Sequence, residues 1–184
     1  MLLTKFGHSC VRLEKDGARL VIDPGVWAGP DVLAEANAVL VTHEHVDHLD
    51  DEVVRTALTD DSDLRLWASE VVAGQFAEFG DRVRAVHHGD VFDAAGFEVQ
   101  VYGSEHAPVD TAIPIVPNAG FALDGQIFHP GDSFTVPEDK VPTLLLPVSA
   151  PWLKFSDVAD YIRRFAPERG YWIHDALLNT TFGS

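Results

Sequence analysis

An apolar run, Ala38-Val39-Leu40-Val41-Thr42, stops at the hexad His43-Glu44-His45-Val46-Asp47-His48, which packs three imidazoles and a separate carboxylate into six positions. With nine histidines in 184 residues, three of them this close together is not a chance arrangement. Imidazole nitrogen and carboxylate oxygen are the usual non-sulfur ligands for zinc, and they also suit manganese or iron. Where the chain is still extended, His43 and His45 point the same way, while Asp47 and His48 can turn toward a second position as a helix begins. Four ligands from one loop would then divide two and two between neighbouring ions. The competing reading is a solvated polar loop ahead of a helix.

The rest of the chain reads as strands with a few surface helices. Val11 and Leu13 alternate with Arg12 and Glu14, and Leu20-Val21-Ile22 follows the Asp16-Gly17 turn, as in an opening meander. Phe97, Val99 and Val101 alternate in the middle, and short apolar runs recur at Ile127-Phe128, Leu144-Leu145-Leu146 and Tyr171-Trp172-Ile173. Helical spacing appears at Leu49, Val53, Val54, Ala57 and Leu58, with Asp50, Asp51 and Glu52 crowding the first turn where the helix dipole favours negative charge. A second helix is expected from a cap at Ser69 through Val72, Phe76 and Phe79 to Gly80. A third is expected from a cap at Ser156, burying Val158, Ile162 and Phe165 and stopping before Pro167. Two sheets between surface helices bury all these faces, so the expectation is an α/β chain forming one domain over residues 1–184. A metal-capable side chain follows several of the apolar runs within a few residues, at Asp23, His43, His106, Asp132 and His174. Strand ends can gather such distant side chains at one rim.

His43, His45, Asp47 and His48 match the His-x-His-x-Asp-His signature, and the chain thereby resembles the metallo-β-lactamase superfamily. Asp23, His106 in Gly103-Ser104-Glu105-His106, Asp132 in His129-Pro130-Gly131-Asp132-Ser133, and His174 follow in that family's order. The opening Gly7-His8-Ser9-Cys10 and the strand end Ile22-Asp23-Pro24 look most like the ascorbate-6-phosphate lactonase-like branch of hydrolases. The resemblance implies a four-layer αββα sandwich with the site at its strand-end rim. It also implies two divalent ions, zinc first, with manganese or iron as alternatives. His43, His45 and His106 would hold one ion, Asp47, His48 and His174 the other, and Asp132 would bridge them. On that resemblance Asp132 would relieve the repulsion between two cations about 3.5 to 4 Å apart, and such a pair would lower the pKa of a water toward neutrality, the expected source of a metal-bound hydroxide.

Asp47 is the first choice for a catalytic carboxylate, with one oxygen on metal and the other orienting the nucleophilic water, and Asp132 is the second. Asp23 resembles the family's buttress, fixing an imidazole from behind the ligands, although a turn former before Pro24 fits it equally. His8 either lines the pocket or keeps local partners. His129 is expected either to be structural or to support the ligands from behind, and the pair His87-His88 to be a solvated strand end. Trp27, Trp152 and Phe155 belong either to an entrance or to the core.

Composition closes off other functions. Lys and Arg number 13 against 29 Asp and Glu, a net charge of −16 with no basic stripe, which argues against a nucleic-acid partner and an acidic membrane surface. The lone Cys10 cannot build a bridge within the chain or a cysteine-rich zinc site. The start of the chain shows no apolar run behind a basic segment, and no stretch approaches the roughly 18 apolar residues of a span, so a cytoplasmic location is expected. No Gly-x-Ser-x-Gly elbow, phosphate loop or dinucleotide fingerprint is present. The expected function is a metal-dependent hydrolase of a small-molecule ester, lactone or phosphodiester, with a homo-oligomer left open. The rival is a metal-binding protein of the same fold without turnover, acting as a sensor or structural subunit. Relatives often continue beyond the last ligand, whereas this sequence ends at Asn179-Thr180-Thr181-Phe182-Gly183-Ser184.

Overall fold

Short apolar and alternating runs build two mixed sheets whose central strands are buried on both faces and whose edge strands stay part-exposed. The computed structural model describes residues 1–178, and the closing Asn179 to Ser184 lie outside the described residues. The first sheet holds six strands in sequence order: β1 (Leu2–Gly7), β2 (Cys10–Lys15), β3 (Ala18–Ile22), β4 (Ala38–Val41), β5 (Arg65–Ala68) and β6 (Val83–Ala85). The first three are antiparallel and the last four, from β3 onward, are parallel. The second sheet holds β7 (Val91–Ala94), β8 (Phe97–Tyr102), β9 (Gly120–Leu123), β10 (Ile127–His129), β11 (Thr143–Pro147) and β12 (Arg169–Ile173). It is antiparallel from β7 to β10 and parallel from β10 to β12.

Alternation assigns each strand residue to a layer. Val11, Leu13, Leu20, Ile22, Ala38 and Leu40 of the first sheet meet Phe97, Val99, Val101, Phe121, Leu123, Leu145 and Ile173 of the second in the central core. Their neighbours Val21, Val39, Val41 and Leu66 face outward beneath α1 (Asp51–Asp60) and α2 (Glu70–Gln75), against Val54, Leu58, Val72 and Phe76. On the opposite side Ala122, Phe128, Leu144 and Leu146 pack under α3 (Phe155–Phe165), against Val158, Tyr161 and Phe165. The order helix, sheet, sheet, helix is the expected αββα sandwich.

Two helices depart from the expected bounds. α2 starts after Ser69 but ends at Gln75. A 3-10 turn follows over Ala77–Arg82, in which Gly80 breaks the helical dihedrals at φ 60° and ψ −133°. α3 begins two residues earlier than expected, capped at Lys154 rather than Ser156, and the Lys154 backbone N–H donates to the Asp157 side chain at 3.3 Å. Ser156 therefore sits inside the first turn. This phase buries Tyr161, and it leaves Ile162 41% exposed where burial was expected. Among the described residues, no helix is long and apolar enough to cross a membrane.

Candidate metal centre

The chemistry-bearing residues sit where strands end. Asp23 follows β3, the hexad follows β4, His106 follows β8, Asp132 follows β10, Trp152 follows β11 and His174 follows β12, while His8 occupies the turn between β1 and β2. Three of these, His8, Asp23 and His174, hold left-handed backbone at φ 51°, 51° and 58°. Such geometry is costly for residues with a Cβ and persists where surroundings enforce it. The enforcing contacts are visible: Asp23 N–H donates to Leu40 O at 2.9 Å and His174 N–H donates to His8 O at 3.1 Å. The hexad loop presses against Gly25, where any Cβ would stand 2.0 Å from Asp47 O, so only glycine lets the two loops meet.

All seven residues assigned to the metals by resemblance converge. One oxygen or nitrogen from each of His43, His45, His106 and Asp132 lies within 4.8 Å of the others, and the same holds for His8, Asp47, His48 and His174. Asp132 spans both groups: Oδ2 lies 3.3 Å from His106 Nε2, 3.9 Å from His43 Nε2 and 3.1 Å from His174 Nε2, and Oδ1 lies 3.0 Å from His48 Nε2. Asp47 Oδ2 lies 3.3 Å from His174 Nε2 and 3.8 Å from His48 Nε2.

The outward nitrogens of these rings are committed, which assigns the tautomers. His48 Nδ1–H donates to Asp23 Oδ2 at 2.6 Å, and the Nδ1–H groups of His106 and His174 donate to Ala107 O and Ser149 O. Thr42 gives its amide N–H to Asp23 Oδ1 and its hydroxyl proton to Oδ2, both at 2.8 Å, so its oxygen accepts from His43 Nδ1–H at 2.9 Å. Asp23 thus orients His48 directly and His43 through Thr42. In their neutral forms His43, His48, His106 and His174 turn Nε2 inward, with Nδ1 holding the ring proton. His45 turns the other way and points Nδ1 at His43 Nε2, 3.1 Å away. His8 is different, because Nδ1 accepts from Ala176 N–H at 3.2 Å and Nε2–H donates to Asp47 Oδ2 at 3.0 Å. With both nitrogens taken, His8 supports Asp47 and has no lone pair to offer.

Charge in the cluster follows burial first and neighbours second. Burial pushes His43 well below the ordinary histidine value, with His48 adding to it; burial and His106 lower His45, and burial lowers His8 and His129. These rings are neutral at neutral pH, as ligands must be. Burial opposes the ionised forms of Asp47 and Asp132, but the facing histidines overcome it and hold both carboxyls well below their usual range. Burial likewise opposes the charged forms of His48 and His174, and the carboxylates outweigh it, raising His48 well above the ordinary value and His174 to about 9. Without a cation, the cluster balances its acids with imidazolium protons.

The donor set fits divalent cations. His106 Nε2, His174 Nε2 and Asp132 Oδ1 are buried, and each lacks a properly directed hydrogen-bond partner. Orphaned buried polar atoms are rare and costly, and of the five among the described residues these three gather in one space with His43 Nε2 and His45 Nδ1. A shared cation would satisfy these nitrogens and oxygens together, once the ring protons facing them are released.

Residues that carry no family signal complete the shell. Asn118 Oδ1 accepts from Asp132 N–H at 3.0 Å and its Nδ2 donates to Pro130 O at 2.9 Å. Gly131 lies between them at φ 61°, where a Cβ would stand 2.2 Å from Asn118 Oδ1. His129 is structural, as expected, with Nε2–H on Ser9 O at 2.9 Å and Nδ1 accepting from Gly131 N–H at 3.1 Å. Trp152 enters the site with Nε1–H on Asp132 Oδ2 at 3.0 Å, and Trp27 packs edge-on against His8 at 4.6 Å. Phe155 is 88% exposed and His87 lies at the surface.

Comparison with known proteins places this geometry in a family. The model of the beta-lactamase superfamily domain matches residues 2–170. The chain is 37% identical over 184 residues to protein Rv0786c of Mycobacterium tuberculosis, covering 97% of this chain and 85% of that one. It is 30% identical over 154 residues to a UPF0173 metal-dependent hydrolase of a Chelativorans species, covering 72% of this chain and 63% of that protein. The fold is shared with the solved structure of Igni18, a metallo hydrolase from the archaeon Ignicoccus hospitalis, at a TM-score of 0.71 and 20% identity over 94% of this chain and 81% of that one. Sandwich, strand-end cluster and family match agree, and the chain belongs to the metallo-β-lactamase superfamily, among relatives of the UPF0173 metal-dependent hydrolases.

Proposed function

We propose that this protein is a metal-dependent hydrolase carrying two divalent ions and acting on a small-molecule ester, lactone or phosphodiester. The observation that carries the reading is the inward convergence of five imidazole lone pairs and two ionised carboxylates, with Asp132 within reach of both halves. His43, His45 and His106 would hold one ion, and Asp47, His48 and His174 the other, with Asp132 shared. Nitrogen-rich ligation favours zinc, with manganese or iron as competitors. Such a pair supplies Lewis acidity and lowers the pKa of water toward neutrality.

The chain's own residues supply the rest. Asp47 and His45 are the part-exposed members of the set, so solvent and substrate reach the site beside them. The Asp47 carboxylate stays ionised and is held by His8 Nε2–H, which leaves it an acceptor for the proton of an attacking water. Asp23 and Thr42 keep the hexad rings fixed, so little reorganisation is needed when charge develops. The Gly7-His8-Ser9-Cys10 turn supports the lactonase-like branch, since it brings His8 onto Asp47. One buried cysteine and an acidic surface fit a single domain in a reducing cytoplasm with no nucleic-acid partner.

Elemental analysis of purified protein, joined to assays on nitrophenyl esters, lactones and bis-nitrophenyl phosphate, tests the reading. Close to two ions per chain and hydrolysis of one class are expected, with Asp47→Asn lowering turnover about 10²- to 10⁴-fold. Two bound ions with no turnover on any class would overturn the hydrolase reading and favour a sensor or structural subunit.

A further inference from the structure

Trp152 lies in the loop between β11 and α3. Its ring is buried, edge-on to His106 at 5.7 Å and His174 at 6.0 Å, with Phe134 against it at 5.3 Å. An indole has one N–H donor and no acceptor, and a buried indole needs an acceptor. Trp152 uses Asp132 Oδ2 at 3.0 Å. That oxygen also faces His106 Nε2 from one half of the cluster and His174 Nε2 from the other, while Oδ1 faces His48. A terminal carboxylate torsion is soft, with broad wells. Asn118 fixes the Asp132 backbone but does not touch its carboxylate in this arrangement. The indole N–H is the contact outside the histidine set that pins the carboxylate plane.

We propose that Trp152 is a positioning residue for the metal pair: its N–H locks the Asp132 carboxylate in the orientation that lets one acid serve both ions. The inference rests on the two-ion reading above. The first half of the cluster keeps three imidazoles of its own, His43, His45 and His106, whereas the second has two imidazoles and Asp47. Freeing Asp132 therefore weakens the second ion more than the first. Outer partners of metal ligands commonly change affinity about 10- to 100-fold when removed, and the second ion is expected to lose that much.

Chelator-competition titrations with Zn²⁺ and Co²⁺ on wild type, Trp152→Phe and Phe134→Leu test the assignment. Wild type takes up two ions. Trp152→Phe keeps the first ion, binds the second about 10- to 100-fold more weakly and shows an altered visible spectrum with Co²⁺. Phe134→Leu loosens the packing on the same indole but keeps its N–H, so it lowers the melting temperature while leaving both affinities and the Co²⁺ spectrum unchanged. If Trp152→Phe does not fold, β-(3-benzothienyl)alanine at position 152, with sulfur in place of the N–H at similar volume, carries the same test. Wild-type affinities in the variant lacking the N–H would overturn the assignment of Trp152 alone. So would an equal loss in Phe134→Leu, which would point to packing. Uptake of fewer than two ions by wild type would overturn the two-ion reading, and this inference with it.

Discussion

Asp23 touches no position where an ion would sit, yet two ligand rings depend on it. Its carboxylate accepts from Thr42 twice and from His48, and through Thr42 it orients His43. Asp23→Asn replaces an acceptor oxygen with a donor N–H and breaks one of these contacts. Metal affinity is expected to fall about 10- to 100-fold, read by chelator competition, with unchanged affinity contradicting the buttress role. For His8, Gln keeps a donor for Asp47 and an acceptor for Ala176, whereas Leu keeps neither. Turnover on the active substrate should therefore survive His8→Gln far better than His8→Leu, and equal loss in both would remove the hydrogen bond from the account. Cys10 is 1% exposed, and burial, reinforced by the Asp23 charge, pushes its thiol far above the usual range. It should resist alkylation in the native protein and react on unfolding, as measured by mass spectrometry; rapid native labelling would contradict this. The residues that converge at the rim were legible because imidazoles and carboxylates just past apolar runs are few and chemically distinctive. Thr42, Asn118, Ser149 and the Trp152 contact were not, because a hydroxyl, an amide, a backbone carbonyl and an indole act here through placement that no spacing rule encodes.

Helices and strands were legible to the extent that their period ran long enough. The runs at 11–13, 20–22, 38–41, 97–101 and 144–146 became β2, β3, β4, β8 and β11. β5, β6, β7 and β9 have three or four residues each, too few for a period to stand out, and they are strands because neighbours pair with them. α3 departs from its sequence pattern because Ser156 is a stronger cap by type than Lys154, yet the helix starts two residues earlier, buries the larger Tyr161 and leaves Ile162 at the surface. α3 ends at Ala166, in left-handed backbone at φ 50°. Glycine takes that conformation without the Cβ clash, so Ala166→Gly should stabilise the protein by about 0.5 to 1 kcal/mol in denaturant unfolding. A loss of stability would mean the methyl group packs there. At the other outer face, Asp50 accepts from Val53 N–H at 3.2 Å and caps the helix that leaves the hexad. Asp50→Ala should cost about 1 kcal/mol in the same measurement.

At the scale of the molecule, two sheets bring six separate strand ends and one hairpin turn to a common rim, and the charges gathered there set how stability depends on pH. In chelator-treated protein, His48 and His174 have raised pKa values, so their contribution is complete below the ordinary histidine value of about 6.5 and fades as pH rises, for His174 through about 9. His8, His43, His45 and His129 have lowered values, so acid below about 6.5 favours the unfolded chain, which takes up protons they refuse. Asp47 and Asp132 add a further loss at lower pH. Thermal melts of the metal-free protein should peak near pH 6.5 and fall on both sides, and a flat profile would contradict the charge assignment. The most direct test of the whole account is anomalous X-ray diffraction from metal-loaded crystals at the absorption edge of the bound element. Two peaks are expected, one among His43, His45 and His106 and one among Asp47, His48 and His174, with Asp132 between them. A rim with no peak, or metal held by other residues, would contradict it.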